Sequence, residues 1–242
     1  MRLNRSEVMN IVKLKMEDYD RIWVISDIHG YHDLFLKLLN KIKLTAKDLL
    51  IINGDSCDRG PSSFEMYETI EKLIDGGLNI IHTFGNHEDL MVNAIEDGEL
   101  FAWYRNGGRQ TVDSYKKKYE ILSKHLKYIK NMPMAVDLGK YFVVHAGINP
   151  QKTIEEQTSY EMTWIRGDFI DHPLLKTDKI IVYGHTPNLD GKIHFVDDQK
   201  ISIDCGSYNT GVVGAIELKS MEIIYENTHR LNIYLNQHFK KR

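Results

Sequence analysis

Five times in this chain a short apolar run stops at a cluster of acidic, histidine, asparagine or glycine residues. That punctuation constrains the fold more than any other feature. The runs are Ile22–Ile25, Leu49–Ile52, Ile80–Phe84, Tyr141–Val144 and Ile180–Tyr183, rich in β-branched or aromatic side chains. Each reads as a buried strand. The clusters behind them are Ser26-Asp27-Ile28-His29-Gly30, Gly54-Asp55-Ser56-Cys57-Asp58-Arg59-Gly60, Gly85-Asn86-His87-Glu88, His145-Ala146-Gly147 and Gly184-His185-Thr186. In an open α/β sheet, ligands bind beyond the carboxyl ends of the strands, so all five clusters can share one crevice.

Helical periodicity fills the gaps between the first three runs. Leu34, Phe35, Leu38, Leu39 and Ile42 form one stripe, and Phe64, Tyr67, Ile70, Leu73 and Ile74 form another. Strand, helix, strand, helix, strand implies βαβ units and a largely parallel start to the sheet. From about Asp89 to Met132 the pattern is helical, with Trp103, Tyr104, Tyr115, Leu122, Leu126 and Ile129 as apolar positions broken by Gly107-Gly108. Residues 89–132 therefore read as a helical insertion over one side of the crevice. After Lys179 the strands shorten to Ile193–Val196, Ile201–Asp204, Val212–Leu218 and Glu222–Tyr225, which suits an antiparallel portion.

At 242 residues and 42% apolar side chains the chain can bury a proper core, and 1–242 is read as a single domain. A net charge of −3 lacks the global positive field of a nucleic-acid binder, so no stable nucleic-acid binding is expected. No segment approaches the roughly 20 apolar residues that span a bilayer, and the first twenty residues lack a secretory apolar region. Two cysteines without CxxC spacing make neither a disulfide framework nor a cysteine-rich zinc site. The expectation is a cytoplasmic protein without membrane attachment. The basic tail His238–Arg242 and the Lys116–Lys118 run read as solvated.

The residue types in the clusters fit a pair of divalent ions, since carboxylates and an amide oxygen are hard ligands and imidazole is borderline. Asp27 and His29, two apart beyond a strand, can clasp one ion. Asp55 is placed to bridge, and Asn86, His145 and His185 complete the second. Two ions about 3.5–4 Å apart lower the pKa of bound water and polarise phosphoryl oxygens, so hydroxide can attack phosphorus in line. His87 is the candidate acid for the leaving oxygen, with Asp58 on its other ring nitrogen. Arg59 and Arg166 suit bidentate contacts to phosphate, although a tryptophan-flanked arginine is also a common surface cation–π partner.

The DxHG, GDxxDRG, GNHE, HAG and GHT series resembles the calcineurin-like metallophosphoesterase superfamily over about Arg21 to Gly211. The DRG and NHE forms, with the Trp103…Asn106-Gly107-Gly108 and Trp164-Ile165-Arg166 runs, are similar to its phosphoprotein phosphatase branch, including lambda-type bacterial and phage enzymes. Diadenosine tetraphosphatases are neighbours. The resemblance implies a four-layer α/β/β/α sandwich with mixed sheets and a helical insertion. It also implies manganese as the usual metal, with iron or zinc as alternatives.

By the same resemblance Asp27, His29, Asp55, Asn86, His145 and His185 match metal ligands. His87 with Asp58 matches the acid pair, and Arg59 and Arg166 match the phosphate clamps. The expected activity is hydrolysis of phosphoserine or phosphothreonine, with phosphotyrosine also in view, by direct attack of metal-bound hydroxide. The alternative is a bis(5'-nucleosyl)-tetraphosphatase, so the partner is a phosphorylated protein or a nucleotide. The residues leave the oligomeric state open.

Two positions depart from the pattern: Ser26 stands where glycine usually opens the first motif, and Cys57 where an apolar residue is usual. Cys57 is thereby a candidate redox switch. Glu88 is expected to buttress Arg59 or a loop amide rather than to ligate. His32, His82, His125, His172, His194, His229 and His238 are read as structural. Tyr208 and Asn209 are candidates to line the crevice, and Gly107-Gly108 either ends a helix or forms a loop facing substrate.

Overall fold

The computed structural model describes residues 10–116, 118–173 and 176–228. The basic tail, His229, His238, Lys117 and the first nine residues lie outside them. The first half of the chain runs through β1 (Ile11–Lys13), β2 (Ile22–Ile25), α1 (His32–Ile42), β3 (Leu49–Asn53), α2 (Ser63–Asp75) and β4 (Asn79–Thr83). Four helices follow: α3 (Asn86–Glu96), α4 (Leu100–Arg105), α5 (Gly108–Ser114) and α6 (Tyr119–Lys130). Then come β5 (Ala135–Asp137), β6 (Tyr141–Val144), α7 (Ser159–Trp164), α8 (Gly167–Ile170) and β7 (Ile180–Tyr183). The last elements are β8 (His194–Asp197), β9 (Lys200–Ser202), α9 (Ser207–Thr210), β10 (Val212–Glu217) and β11 (Ile223–Asn227).

The strands form two mixed sheets, ordered β11-β10-β2-β3-β4 and β1-β5-β6-β7-β9-β8. Side chains alternate across a strand, and the alternation here builds four layers. Ile22, Val24, Leu49 and Ile51 face Val143, Val182 and Ile201 of the other sheet. The intervening Trp23, Ile25, Leu50 and Ile52 pack on Leu34, Phe35, Leu38 and Ile42 of α1 and Met66 and Ile70 of α2. Across the molecule Phe142, Val144, Ile181 and Tyr183 pack with Met162 of α7, Phe169 of α8, and Met91, Trp103 and Ile129 from the helices after β4. Each such buried side chain contributes roughly 1.5–3 kcal/mol over exposure.

The five cluster-bearing strands are thus divided between the sheets: β2, β3 and β4 in one, β6 and β7 in the other. Asn53 joins them. Its Nδ2 donates to Val144 O at 2.9 Å, and its Oδ1 accepts from Thr83 Oγ1 at 3.0 Å. This stitch brings the carboxyl ends of both sheets to one edge.

Three details differ from expectation. Strands β1 and β5, three residues each, pair parallel to one another. Strand β9 runs parallel to β7, although β8–β9 and β10–β11 are antiparallel as expected. Strand β10 crosses to the first sheet and pairs antiparallel with β2. Among the described residues no helix is long and apolar enough to cross a membrane.

Candidate functional site

Six of the ten candidate site residues, Asp27, His29, Asp55, Asp58, Arg59 and His185, have φ between 51° and 67°. Among the described residues only two other non-glycine positions, Lys43 and Met221, lie in this left-handed region. Such conformations persist where surrounding structure enforces them, and they concentrate at functional sites. The enforcement is visible: the loops after β2 and β3 are zipped together by His29 N to Asp55 O at 2.8 Å and Gly30 N to Ser56 O at 2.9 Å. Gly184 lets the loop after β7 close on them, since a Cβ there would lie 2.1 Å from Asp27 Oδ2.

Asn86, the first residue of α3, places Oδ1 2.9 Å from His145 Nε2 and 2.8 Å from His185 Nδ1. Asp55 Oδ1 is 3.3 Å from His145 Nε2. The other nitrogen of His145, Nδ1, lies 3.1 Å from Asn53 O. Both nitrogens of this buried ring therefore face acceptors, and a neutral imidazole must turn one lone pair toward oxygen. His185 Nε2 is buried without a hydrogen-bond partner. A divalent cation among Asn86, Asp55, His145 and His185 resolves the conflict at His145, so the residues fit a metal.

The second group shares Asp55. His29, Asp55 and His87 bring ligand atoms within 4.8 Å of one another, as do Asp55, His145 and His185. His29 Nδ1 is 2.9 Å from Cys57 O, leaving Nε2 to face the site 3.7 Å from Asp55 Oδ2. Asp27 sits beside this group, its carboxylate accepting from His185 N at 3.1–3.2 Å and from the Ser26 hydroxyl. Burial, then the charges of Asp27 and Glu88, push Asp55 well above the usual carboxylate range. Burial likewise pushes the basicity of His29, His87 and His185 down, with neighbouring positive groups adding to it. Bound cations would reverse this balance for Asp55.

His87 Nδ1 lies 2.7 Å from Asp58 Oδ2. Its Nε2 faces Asp55 Oδ2 at 3.9 Å. Asp58 also accepts from Trp103 Nε1 and, at 2.6 Å, from Thr111 Oγ1. Burial raises Asp58 to about 7 against those donors. Arg59 Nη1 donates to His29 Nε2 at 2.8 Å, and its guanidinium lies 5.7 Å from the Tyr208 ring centroid. Gly107 (φ +99°) is the floor under Arg59: its O accepts from Arg59 N at 3.1 Å, and a Cβ would meet Arg59 Cγ at 2.7 Å. Arg166, exposed at the rim, donates to His185 O at 3.0 Å and to Thr186 Oγ1 at 3.1 Å. All ten candidates are thus drawn to one edge.

The sequence profile of calcineurin-like phosphoesterases matches residues 20–214. The chain belongs to that family. Serine/threonine-protein phosphatase 2 of Salmonella typhimurium is 26% identical over 227 residues, covering 88% of this chain and 100% of that protein. Bis(5'-nucleosyl)-tetraphosphatase PrpE [asymmetrical] of Anoxybacillus flavithermus is 25% identical over 232 residues, covering 83% and 91%. In fold, the crystal structure of a putative diadenosine tetraphosphatase superposes with a TM-score of 0.70 at 18% identity, covering 91% of this chain and 98% of the other. The protein is a metal-dependent phosphoester hydrolase.

Three features of this phosphoesterase's site escaped sequence reasoning. Trp103 reads as a core aromatic and Thr111 as part of a helical stretch, yet both hold Asp58. Asp204 reads as the end of a strand, but β9 stops at Ser202 and Asp204 lies buried beyond it, its carboxyl raised by burial and by Asp27. An acid after a strand is the same signal as the five clusters carry.

Glu88 holds loop amides and not Arg59. It accepts from Asp55 N (2.8 Å), Ser56 N (2.9 Å), Gly85 N (3.1 Å) and Tyr67 Oη (3.0 Å). Cys57 does not have the setting of a redox switch. It is fully buried, and burial followed by the charge of Asp58 pushes its thiol well above the usual value, which disfavours the reactive thiolate.

Proposed function

We propose that the chain is a dinuclear-metal phosphomonoesterase acting on phosphoserine and phosphothreonine, with manganese as its metal. Asp27, His29, Asp55, Asn86, His145 and His185 hold the two ions. When bound, the ions lower the pKa of water and stabilise charge developing on the phosphoryl oxygens.

The protein's own groups do the rest. Arg59 and Arg166 orient the phosphate from two sides of the crevice as planar, bidentate donors. His87 delivers a proton from Nε2 to the departing alkoxide, and Asp58 on Nδ1 sets the tautomer and stabilises the imidazolium. The observation that carries this reading is the 2.7 Å His87–Asp58 contact, buried and braced by Trp103 and Thr111. Serine and threonine are poor leaving groups and need a proton donor, whereas an activated ester does not.

A groove of about 690 Å³ beside the centre, lined by Tyr31, His32, Lys37, Pro61, Tyr208 and Asn209 among others, supports a second reading. In that reading the groove takes a nucleoside of a dinucleoside polyphosphate, with a base on an exposed tyrosine and phosphates near Lys37. One assay separates the two: purified protein with manganese against serine, threonine and tyrosine phosphopeptides and diadenosine tetraphosphate, products identified. Release of phosphate from serine or threonine peptides supports the first reading. Turnover of the dinucleotide with no peptide hydrolysed overturns it in favour of the second.

A further inference from the structure

Away from the crevice, α2 and α6 bring together Glu68, Glu71 and His125, with ligand atoms within 4.8 Å of one another. Glu68 and Glu71 are three apart on α2 and share a face. His125 projects from α6 with no exposed surface, and its Nε2 makes no hydrogen bond. That nitrogen nevertheless lies 3.3 Å from Glu68 Oε1 and 3.6 Å from Glu71 Oε2. A buried ring nitrogen therefore points at two carboxylates with no hydrogen bond of its own.

We propose that these three residues form a third cation site, which takes zinc and clips α6 to α2. Zinc binds imidazole and carboxylate at about 2.0–2.2 Å in a tetrahedron, which sets neighbouring ligand atoms about 3.3–3.6 Å apart. The two distances from Nε2 fall close to that edge length. The donor set also selects: one imidazole with two carboxylates suits zinc, whereas magnesium and calcium prefer oxygen alone.

Tyr115 Oη lies 2.6 Å from His125 Nδ1. When Nδ1–H donates to that oxygen, Nε2 carries the lone pair that a metal needs, the usual arrangement behind a ligating histidine. Both glutamates keep part of their surface in solvent, so water can take the fourth position. Two lysines now balance the acids: Lys124 Nζ is 2.6 Å from Glu71 Oε2, and Lys72 Nζ is 3.5 Å from Glu68 Oε2. Zinc would displace Lys124 from the oxygen it occupies. The clip would fasten the last helix of the α3–α6 segment, which also supplies Trp103 and Thr111 to Asp58.

The test uses the full chain, stripped of metal by chelation and titrated with zinc by equilibrium dialysis, beside Glu68→Gln/Glu71→Gln. The variant should bind one zinc fewer per chain, show a smaller zinc-dependent rise in Tm, and keep its manganese-supported phosphatase rate. Lys124→Ala should bind zinc several-fold more tightly, because a competing cation is gone. Equal zinc counts in wild type and the glutamine variant would overturn the proposal and leave an interhelical ion pair. If the glutamine variant does not fold, Lys124→Ala decides, and unchanged zinc affinity there overturns it equally. None of these readouts depends on which phosphoester the enzyme cleaves.

Discussion

Trp103 Nε1 donates to both carboxylate oxygens of Asp58, at 2.9 and 3.0 Å. A helix from the segment between β4 and β5 thereby reaches through the core to the residue that backs the proposed acid. The indole and Thr111 hold Asp58 at about 7, below where burial alone would leave it. Trp103→Phe keeps the aromatic packing and removes the donor. A hydrogen bond to a charged group contributes about 1.5–3 kcal/mol, or about 1–2 pH units. The acidic limb of kcat/KM should move up by that amount, with roughly tenfold loss at pH 7 and recovery in alkali. An unmoved limb would reduce Trp103 to packing.

His87→Asn should retain both ions, because no metal ligand is removed. Its rate should fall by roughly two or more orders of magnitude on phosphoserine peptides. Activated aryl phosphates, whose leaving groups depart unprotonated, should lose much less. Equal losses on the two substrate types, measured as kcat with metal content checked, would rule out His87 as the proton donor.

Glu88 is a buried hub that accepts from three backbone amides and a tyrosine. Glu88→Gln replaces one acceptor oxygen by an amide that must face a donor. Leaving a buried donor unsatisfied costs about 1–3 kcal/mol. Denaturant unfolding should register that loss, and activity should fall too, because the same bonds shape the Asp55 loop. A variant with wild-type stability would mean that the loop holds itself.

His82, inside β4, is buried beside Ser56 Oγ and Tyr128 Oη, and burial lowers its pKa to about 4. In the unfolded chain it titrates near 6.5. The unfolded state then binds more protons below that value. The stability due to neutral His82 is intact above pH 6.5 and is lost as pH falls toward 4, by roughly 3 kcal/mol in all. Urea unfolding across that window should show a shallower slope in His82→Gln. Parallel slopes for the two proteins would place the acid sensitivity elsewhere.

The site was legible in the sequence where chemistry demands particular residue types at strand ends. Asp55 or His145 could be picked out because carboxylate and imidazole rarely close a buried apolar run without a task. Strand bounds at Ile22–Ile25, Tyr141–Val144 and Ile180–Tyr183 were legible for the same reason. The residue runs alone did not show that these strands belong to two sheets. A strand buried on both faces looks the same whether helices or a second sheet covers it. The three-residue strands β1 and β5 carry too little periodicity to be seen. Trp103 and Thr111 were hidden because a side chain that serves a distant acid leaves no local pattern, and Asp204 because apolar residues on both sides absorbed it into a strand.

Strand β10 lies between β2 and β11, so the first sheet receives one of its inner strands from Val212–Glu217, near the end of the described chain. During synthesis β2, β3 and β4 can pair as soon as they emerge. The outer side of β2 then waits, with its backbone amides and carbonyls open, until the chain has grown from Thr83 at the end of β4 to Val212 at the start of β10. An open apolar strand edge is a template for pairing with other chains. Assembly of this enzyme is therefore a race between a late intramolecular partner and an early intermolecular one, and slow decoding just before Val212 would lengthen the interval in which the wrong partner can win.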